Sequence, residues 1–351
     1  MHSKMAELIL ENGMRFKGRA FGYVQDVVGE IIFSTSMTGY QEMLTDPTLC
    51  GQIVVDTYPL VGNYGINLED MESDKISLTA LVVREKCDYP NNFRTEMDLD
   101  GFLRQNRVVG LEGIDTRALT RVIRDNGCMR AIITTEVGML SDRALEERFA
   151  GFDNSDAVSR VSVKESYTIP GSGAHIALLD LGTKNSILRG LKSKNCKVTV
   201  FPYNTPAEKI LAAKPDALLV SNGPGSPEDI PETVETVKAL IGKLPLRGIC
   251  LGQLVIGMAL GATVKKLKFG HHGANQPVKN LIDGTLLVTA QSHNYVLDNV
   301  GDKARISHIN VNDGTCEGIV SEELNIKCIQ FRPEDYPSSH ISGSIFDDFL
   351  V

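Results

Sequence analysis

The sequence predicts an α/β protein of two domains. A doubly wound parallel sheet is expected over residues 175–351, preceded by a β-rich α+β domain over 1–151, with a connection at 152–174. Three observations carry this reading. From residue 175 onward, apolar strand-like runs alternate with helix-like ones, the pattern of a parallel sheet covered by helices on both faces. Before residue 151 the strand-like runs are short and punctuated by glycine and proline. Between them, residues 152–173 are polar and contain Asp-Asn-Ser-Asp and Ile-Pro-Gly-Ser-Gly, a composition suited to an interdomain connection.

The elements follow in order. Residues 29–34 and 52–58 are strand-like, and 59–65 are turn-rich. Asp115 precedes a helix over 116–126 with Leu119, Val122 and Ile123 on one face, and Gly127 stops it. In the second domain, the continuous apolar run 175–181 is a buried strand. It is followed by helix 186–193, strand 197–201, helix 207–213, strand 216–220 and helix 231–241. The run 246–249 is the next strand. It ends at Cys250, where a helical run to Leu260 begins. From residue 263 strands and turns mix, and the chain returns residues 330–334 to the same sheet edge.

Composition narrows the function. With 351 residues, the chain can bury two cores. It carries 36 Lys+Arg against 44 Asp+Glu, a net charge of −8, which argues against nucleic-acid binding because that needs a basic face. No apolar stretch approaches the roughly 18 residues of a membrane span, and the first residues lack the pattern of a secretory signal, so a cytoplasmic protein without membrane partner is expected. Seven cysteines are scattered without C-x-x-C spacing, which implies neither a disulfide framework nor a metal site.

One cysteine stands apart. Cys250 lies between Gly248 and Gly252 at a strand-to-helix corner, where small residues permit a sharp turn. A thiol at a helix N-terminus is electrostatically favoured as thiolate. Thiolate attack on an amide carbonyl also needs oxyanion donors, for which the N–H groups of Leu251 and Gly223 are candidates. It further needs a group that moves protons.

Gly-Ile-Cys-Leu-Gly over 248–252 resembles the nucleophile motif of class I glutamine amidotransferases. Residues 34–47, 112–120 and 268–278 resemble segments of the small subunit of carbamoyl-phosphate synthetase, and the likeness runs from about Glu7 to Phe349. The resemblance implies that this chain pairs with a large subunit. The small subunit would hydrolyse L-glutamine through a Cys250 thioester. The large subunit would use the ammonia, with ATP and Mg²⁺ bound there and no cofactor here, to make carbamoyl phosphate for arginine or pyrimidine biosynthesis. By motif, Cys250 and Glu334 would be catalytic. The glutamine pocket would involve Thr48, Gly223, Gly225, Leu251, Leu254, Ser292, Asn294 and Tyr295.

Four departures from the family pattern bear on activity. Arg332 occupies the position of the usual histidine, and a guanidinium stays protonated, so it cannot be a general base. Losing such a group costs about 10²–10⁴-fold in rate. Leu254 replaces a glutamine, removing a substrate hydrogen bond worth about 0.5–1.5 kcal/mol. Gln291-Ser-His-Asn-Tyr295 stands for Gln-Asn-His-Gly-Phe, and Thr48 replaces a serine. An impaired glutaminase is expected, with an Arg332–Glu334 ion pair closing the site. His293 or His272 is the candidate substitute base. The alternatives are a catalytically silent structural or regulatory subunit and, third, a different cysteine amide hydrolase.

Overall fold

The structure is a computed structural model that describes residues 4–333. It divides into two compact units, Met1–Asn154 and Ser155–Val351. In the first, the strands are β1 (Lys4–Leu10), β2 (Arg15–Gly22), β3 (Val27–Ser34), β4 (Gln52–Asp56), β5 (Leu60–Val61), β6 (Ala80–Val82), β7 (Glu85–Lys86), β8 (Val109–Glu112) and β9 (Met129–Thr134). The helices are α1 (Tyr40–Leu44), α2 (Leu99–Gln105), α3 (Thr116–Asn126) and α4 (Asp142–Ala150). Seven strands close a barrel in the order β1-β2-β8-β6-β4-β3-β9, while β5 and β7 form a separate ribbon. Closure joins β1 to β9 antiparallel, with Leu8 opposite Ile133. Helix α3 starts where Asp115 accepts from Ala118 N–H and ends at Gly127, whose φ of 95° suits glycine.

The second unit contains α5 (Ala157–Val161), β10 (Tyr167–Ile169), β11 (His175–Asp180), α6 (Asn185–Ser193), β12 (Lys197–Pro202), α7 (Ala207–Ala212), β13 (Ala217–Val220), α8 (Pro231–Leu240), β14 (Leu246–Ile249) and α9 (Leu251–Leu260). After these come β15 (Thr263–Asn280), β16 (Leu286–Asn299), β17 (Arg305–Asn310), β18 (Cys316–Ser321) and β19 (Ile326–Ile329). The ten strands β10 to β19 form one sheet, ordered β10-β12-β11-β13-β14-β19-β18-β17-β15-β16.

Only the centre, β12-β11-β13-β14-β19, is parallel. The expectation of a parallel sheet holds there. Beyond β19 the sheet continues antiparallel: hairpins join β15 to β16, β17 to β18 and β18 to β19, and β17 returns to pair with β15 without a crossover helix. Buried side chains cluster on two faces, one around Leu179, Leu218 and Val255, the other around Leu178, Leu219 and Ile249.

The connection is expected at 152–174, and the division between the two compact units falls after Asn154. Residues 155–174 pack as part of the second unit. Ala157 and Val158 on α5 are 1% exposed, and β10 pairs antiparallel with β12. Gly171 lies so close to Cys196 that a Cβ would sit 2.2 Å from its carbonyl oxygen. The polar composition concealed the buried pair Ala157 and Val158, which anchors this segment.

His308 on β17 supplies a pH dependence. Its Nδ1 lies 2.9 Å from Ser307 Oγ, and its ring meets Phe331 edge-on at 5.6 Å. Burial pushes its pKa from 6.5 down to about 4, against the opposing pull of Asp283. The folded pKa lies below the unfolded one. The stability from keeping the ring neutral is therefore present above about pH 6.5 and lost towards pH 4, on the order of 2–3 kcal/mol. Urea midpoints measured near pH 7 and near pH 4.5 should converge when His308→Gln is compared with the parent. An unchanged pH dependence in the variant would refute this role.

Candidate active site

The four residues of β14 are buried, and the strand ends at the sheet's carboxyl edge. Cys250 follows with φ 53° and ψ −110°. Positive φ in a residue with a Cβ is strained, and it persists here because both flanks are fixed. Its N–H donates to Ile329 O at 2.9 Å, tying the corner to β19, and α9 starts at the next residue. The corner also demands glycine. A Cβ on Gly252 would lie 2.0 Å from Val220 O, so α9 sits directly on the end of β13. A Cβ on Gly223 would meet Leu181 O at 2.3 Å and Leu251 Cδ2 at 2.9 Å. The loop after β13 therefore lies against the first turn of α9, whose leading N–H groups have no intrahelical acceptor.

Cys250 is 3% exposed. Its Sγ lies 3.9 Å from Ser292 O and 3.9 Å from Gln330 Nε2. Gln330 Oε1 in turn accepts from Gln253 Nε2 at 3.0 Å. Gln253 and Gln330 are both fully buried, and among the described residues Gln253 Oε1 has no hydrogen-bond partner. Neither glutamine was expected as part of the site. The available signal was a lone amide in the otherwise apolar α9.

The other expected residues have definite surroundings. Leu254, 2% exposed, joins the apolar cluster that contains Leu181, Val220, Ile230 and Leu251. Gly225 has φ +77° beside Asp229. Ser292 Oγ lies 3.3 Å from His272 Nδ1, and Asn294 Oδ1 lies 2.8 Å from His272 Nε2. Tyr295 is half-buried, with Lys266 Nζ 5.7 Å from its ring centroid. Thr48 belongs to the first unit, in a short 3-10 turn, and its hydroxyl donates to Asp46 Oδ1 at 2.7 Å. Arg332 N–H donates to Ala290 O at 2.9 Å, bridging the chain after β19 to β16. Glu334 lies outside the described residues, and so does the expected Arg332–Glu334 pair.

His293, a candidate substitute base, is committed elsewhere. Its Nδ1 lies 3.0 Å from Tyr295 O and its Nε2 lies 3.2 Å from Gln291 Oε1. Burial holds its pKa well below the ordinary histidine value, and positive charge at His271, His272 and Arg332 pushes the same way. Burial pulls the neighbouring His271 down as well, but Glu317 and Asp313 outweigh it and leave its pKa raised.

A sheet with a parallel centre, a cysteine on a strained strand-to-helix corner and a glycine loop packed against that corner define a class I glutamine amidotransferase domain. The family model described as "Glutamine amidotransferase class-I" matches residues 177–351. The model described as "Carbamoyl-phosphate synthase small chain, CPSase domain" matches residues 8–133. The carbamoyl phosphate synthase small chain of Clostridium perfringens is 50% identical over 345 residues, covering 98% of each chain. The pyrimidine-specific small chain of Bacillus subtilis is 43% identical over 348 residues, covering 98% of this chain and 94% of that one. The small chain of Bacillus caldolyticus is 44% identical, covering 98% and 95%. This chain belongs to the carbamoyl phosphate synthase small chain family, that of the glutamine-hydrolysing synthetase. Among the described residues, no helix is long and apolar enough to cross a membrane.

Proposed function

We propose that this chain acts as the small subunit of a cytoplasmic carbamoyl-phosphate synthetase, bound to a large subunit, with its own glutaminase strongly impaired. One observation carries the reading. The strand that returns beside Cys250 continues Gln330-Phe331-Arg332-Pro333, with a guanidinium where the family's proton carrier stands. In the family chemistry, Sγ attacks the glutamine carbonyl carbon and the leaving nitrogen takes a proton as ammonia. Water then attacks the thioester, loses a proton and releases glutamate. Cys250 can supply the sulfur, and the N–H groups of Leu251 and Gly223 can hold the oxyanion. Arg332 can carry neither proton.

Two further features support impairment. Leu254 is packed into the apolar cluster, so the amide that would hold glutamine is replaced by buried hydrocarbon. The Asn294 amide, at a position where the family has glycine, is tied to His272. Rescue by His293 is disfavoured because its ring is buried, with Nδ1–H held on Tyr295 O and Nε2 facing Gln291 Oε1. Gln330 Nε2 beside Sγ can steady a thiolate but cannot relay a proton at neutral pH.

The test is ammonia release from glutamine, and synthesis with glutamine or ammonia as nitrogen source, by the complex with the large subunit. Ammonia-dependent synthesis should be normal, and glutamine-dependent synthesis at least about 10²-fold slower, the usual cost of a missing acid/base. Comparable rates from both sources would overturn the reading. Failure of the two chains to co-elute would remove the partnership itself.

A further inference from the structure

The site just described leaves unused a buried cluster on the antiparallel wing of the second unit: His271 on β15, His293 on β16 and Glu317 on β18. One ligand atom from each lies within 4.8 Å of the others. All three residues are buried, Glu317 completely, and among the described residues Glu317 Oε2 has no hydrogen-bond partner.

The hydrogen bonds around His293 do not close without a further positive centre. Thr289 Oγ1 donates to Gln276 O at 3.0 Å and so accepts from Gln291 Nε2 at 3.0 Å. That fixes Gln291 Oε1 towards His293 Nε2, at 3.2 Å. Tyr295 O can only accept, so His293 Nδ1 must carry the proton that meets it at 3.0 Å. In that tautomer the Nε2 lone pair faces two acceptors, Gln291 Oε1 and Glu317 Oε1, the latter at 3.9 Å. The opposite tautomer sets a lone pair against the carbonyl instead.

His271 repeats the arrangement. Its Nε2 lies 2.9 Å from Asp313 Oδ2, and its Nδ1 lies 3.4 Å from Glu317 Oε1. Asn310 Nδ2 reaches both His271 Nδ1 and Glu317 Oε1, but at 3.5 Å, the outer limit of a hydrogen bond.

We propose that His271 Nδ1, His293 Nε2 and Glu317 bind a divalent transition-metal cation of the Zn²⁺ class. The cation ties together strands β15, β16 and β18. Two imidazoles and a carboxylate are ligands that suit Zn²⁺. Ligands about 2.1 Å from a tetrahedral ion lie about 3.4 Å apart; Glu317 Oε1 lies 3.4 Å from His271 Nδ1 and 3.9 Å from His293 Nε2, so a modest contraction would seat the ion. Each histidine also holds its outer nitrogen on an oxygen, a carboxylate for His271 and a carbonyl for His293, the usual support of a metal-bound imidazole. Gln291 Oε1, 3.2 Å from His293 Nε2, is the candidate for a fourth, oxygen ligand. The consequence is structural: β16 carries Ser292, whose carbonyl lies beside Cys250, so the cation would fix that segment of the wing.

The experiment uses the full chain, stripped with chelator and titrated with Zn²⁺ and with Co²⁺. The expected result is one tight equivalent, a tetrahedral Co²⁺ visible spectrum, and a melting temperature that rises with Zn²⁺. Glu317→Gln and His293→Gln should lose the tight equivalent and the spectrum. Because those buried changes can impair folding, Asp313→Asn is the second variant; it alters a partly exposed residue whose Oδ2 supports His271, and an asparagine Oδ1 can still accept from Thr315 as the carboxylate Oδ1 does. It should keep the fold and weaken Co²⁺ binding by about 10–100-fold. The proposal is overturned if the parent binds no tight equivalent, or an adventitious ion only, held equally by the variants. A proton alone in the cluster would give the first of these results.

Discussion

Gly252→Ala is expected to cripple the second unit. A glycine-to-alanine change inside a helix normally stabilises by about 0.5–1 kcal/mol, because it restricts the unfolded chain and suits the helix. Here the sign reverses. The new Cβ would lie 2.0 Å from Val220 O, 2.6 Å from Val220 C and 3.0 Å from Ser221 O, backbone atoms of the last residue of β13 and the first residue after it. No side-chain rotation relieves such a contact, so α9 or the end of β13 must move by about an ångström, against close packing on both sides. Overpacking of this kind costs about 3 kcal/mol or more, from a total stability of only about 5–15 kcal/mol. For a unit of this size that is a fall in melting temperature of roughly 6–12 °C. Gly242→Ala is the control: its φ is +75° but nothing lies within 4 Å, so it bears only the backbone penalty. If Gly252→Ala melts with the parent while Gly242→Ala does not, the close seating of the elbow on β13 is wrong.

What the sequence made legible follows from how local each signal is. Helix α3 could be read to the residue because Asp115 caps it and Gly127 ends it, both within the segment itself. The elbow was legible for the same reason: an apolar strand, a small-residue corner and an apolar helix lie in fifteen consecutive residues, 246–260. The closed barrel was not, since closure depends on β1 meeting β9, and no neighbouring residue records that pairing. The wing was blurred because β15 and β16 are interrupted by register shifts, which break the alternation that marks a strand. At the site, Arg332 and Leu254 were legible only as departures from a motif. The Gln253–Gln330–Cys250 chain, and the meeting of His271 with Glu317, arise from strand order, which places distant residues side by side.

The double variant Arg332→His with Leu254→Gln is expected to raise glutamine hydrolysis by about 10²–10⁴-fold over the parent, the range that a positioned acid/base supplies. Neither change alone should do so. Arg332→His returns an imidazole to the chain beside Gln330, but Leu254 remains packed in the apolar cluster and, on the proposed reading, offers the substrate no hydrogen bond. Leu254→Gln alone restores a substrate contact but leaves no proton carrier. It also puts an amide into an apolar cluster, at about 1–3 kcal/mol if the amide finds no partner. Base and pocket act on the same transition state, so their effects should exceed the sum of the single ones. The readout is ammonia released from glutamine by the complex, with Cys250→Ala added to the double variant as the control. Activity that survives loss of the thiol would assign the chemistry to another group. A double variant no faster than the parent would mean that the Asn294 amide, held on His272 where the family has glycine, still obstructs the pocket, and that proton transfer is not what limits this subunit.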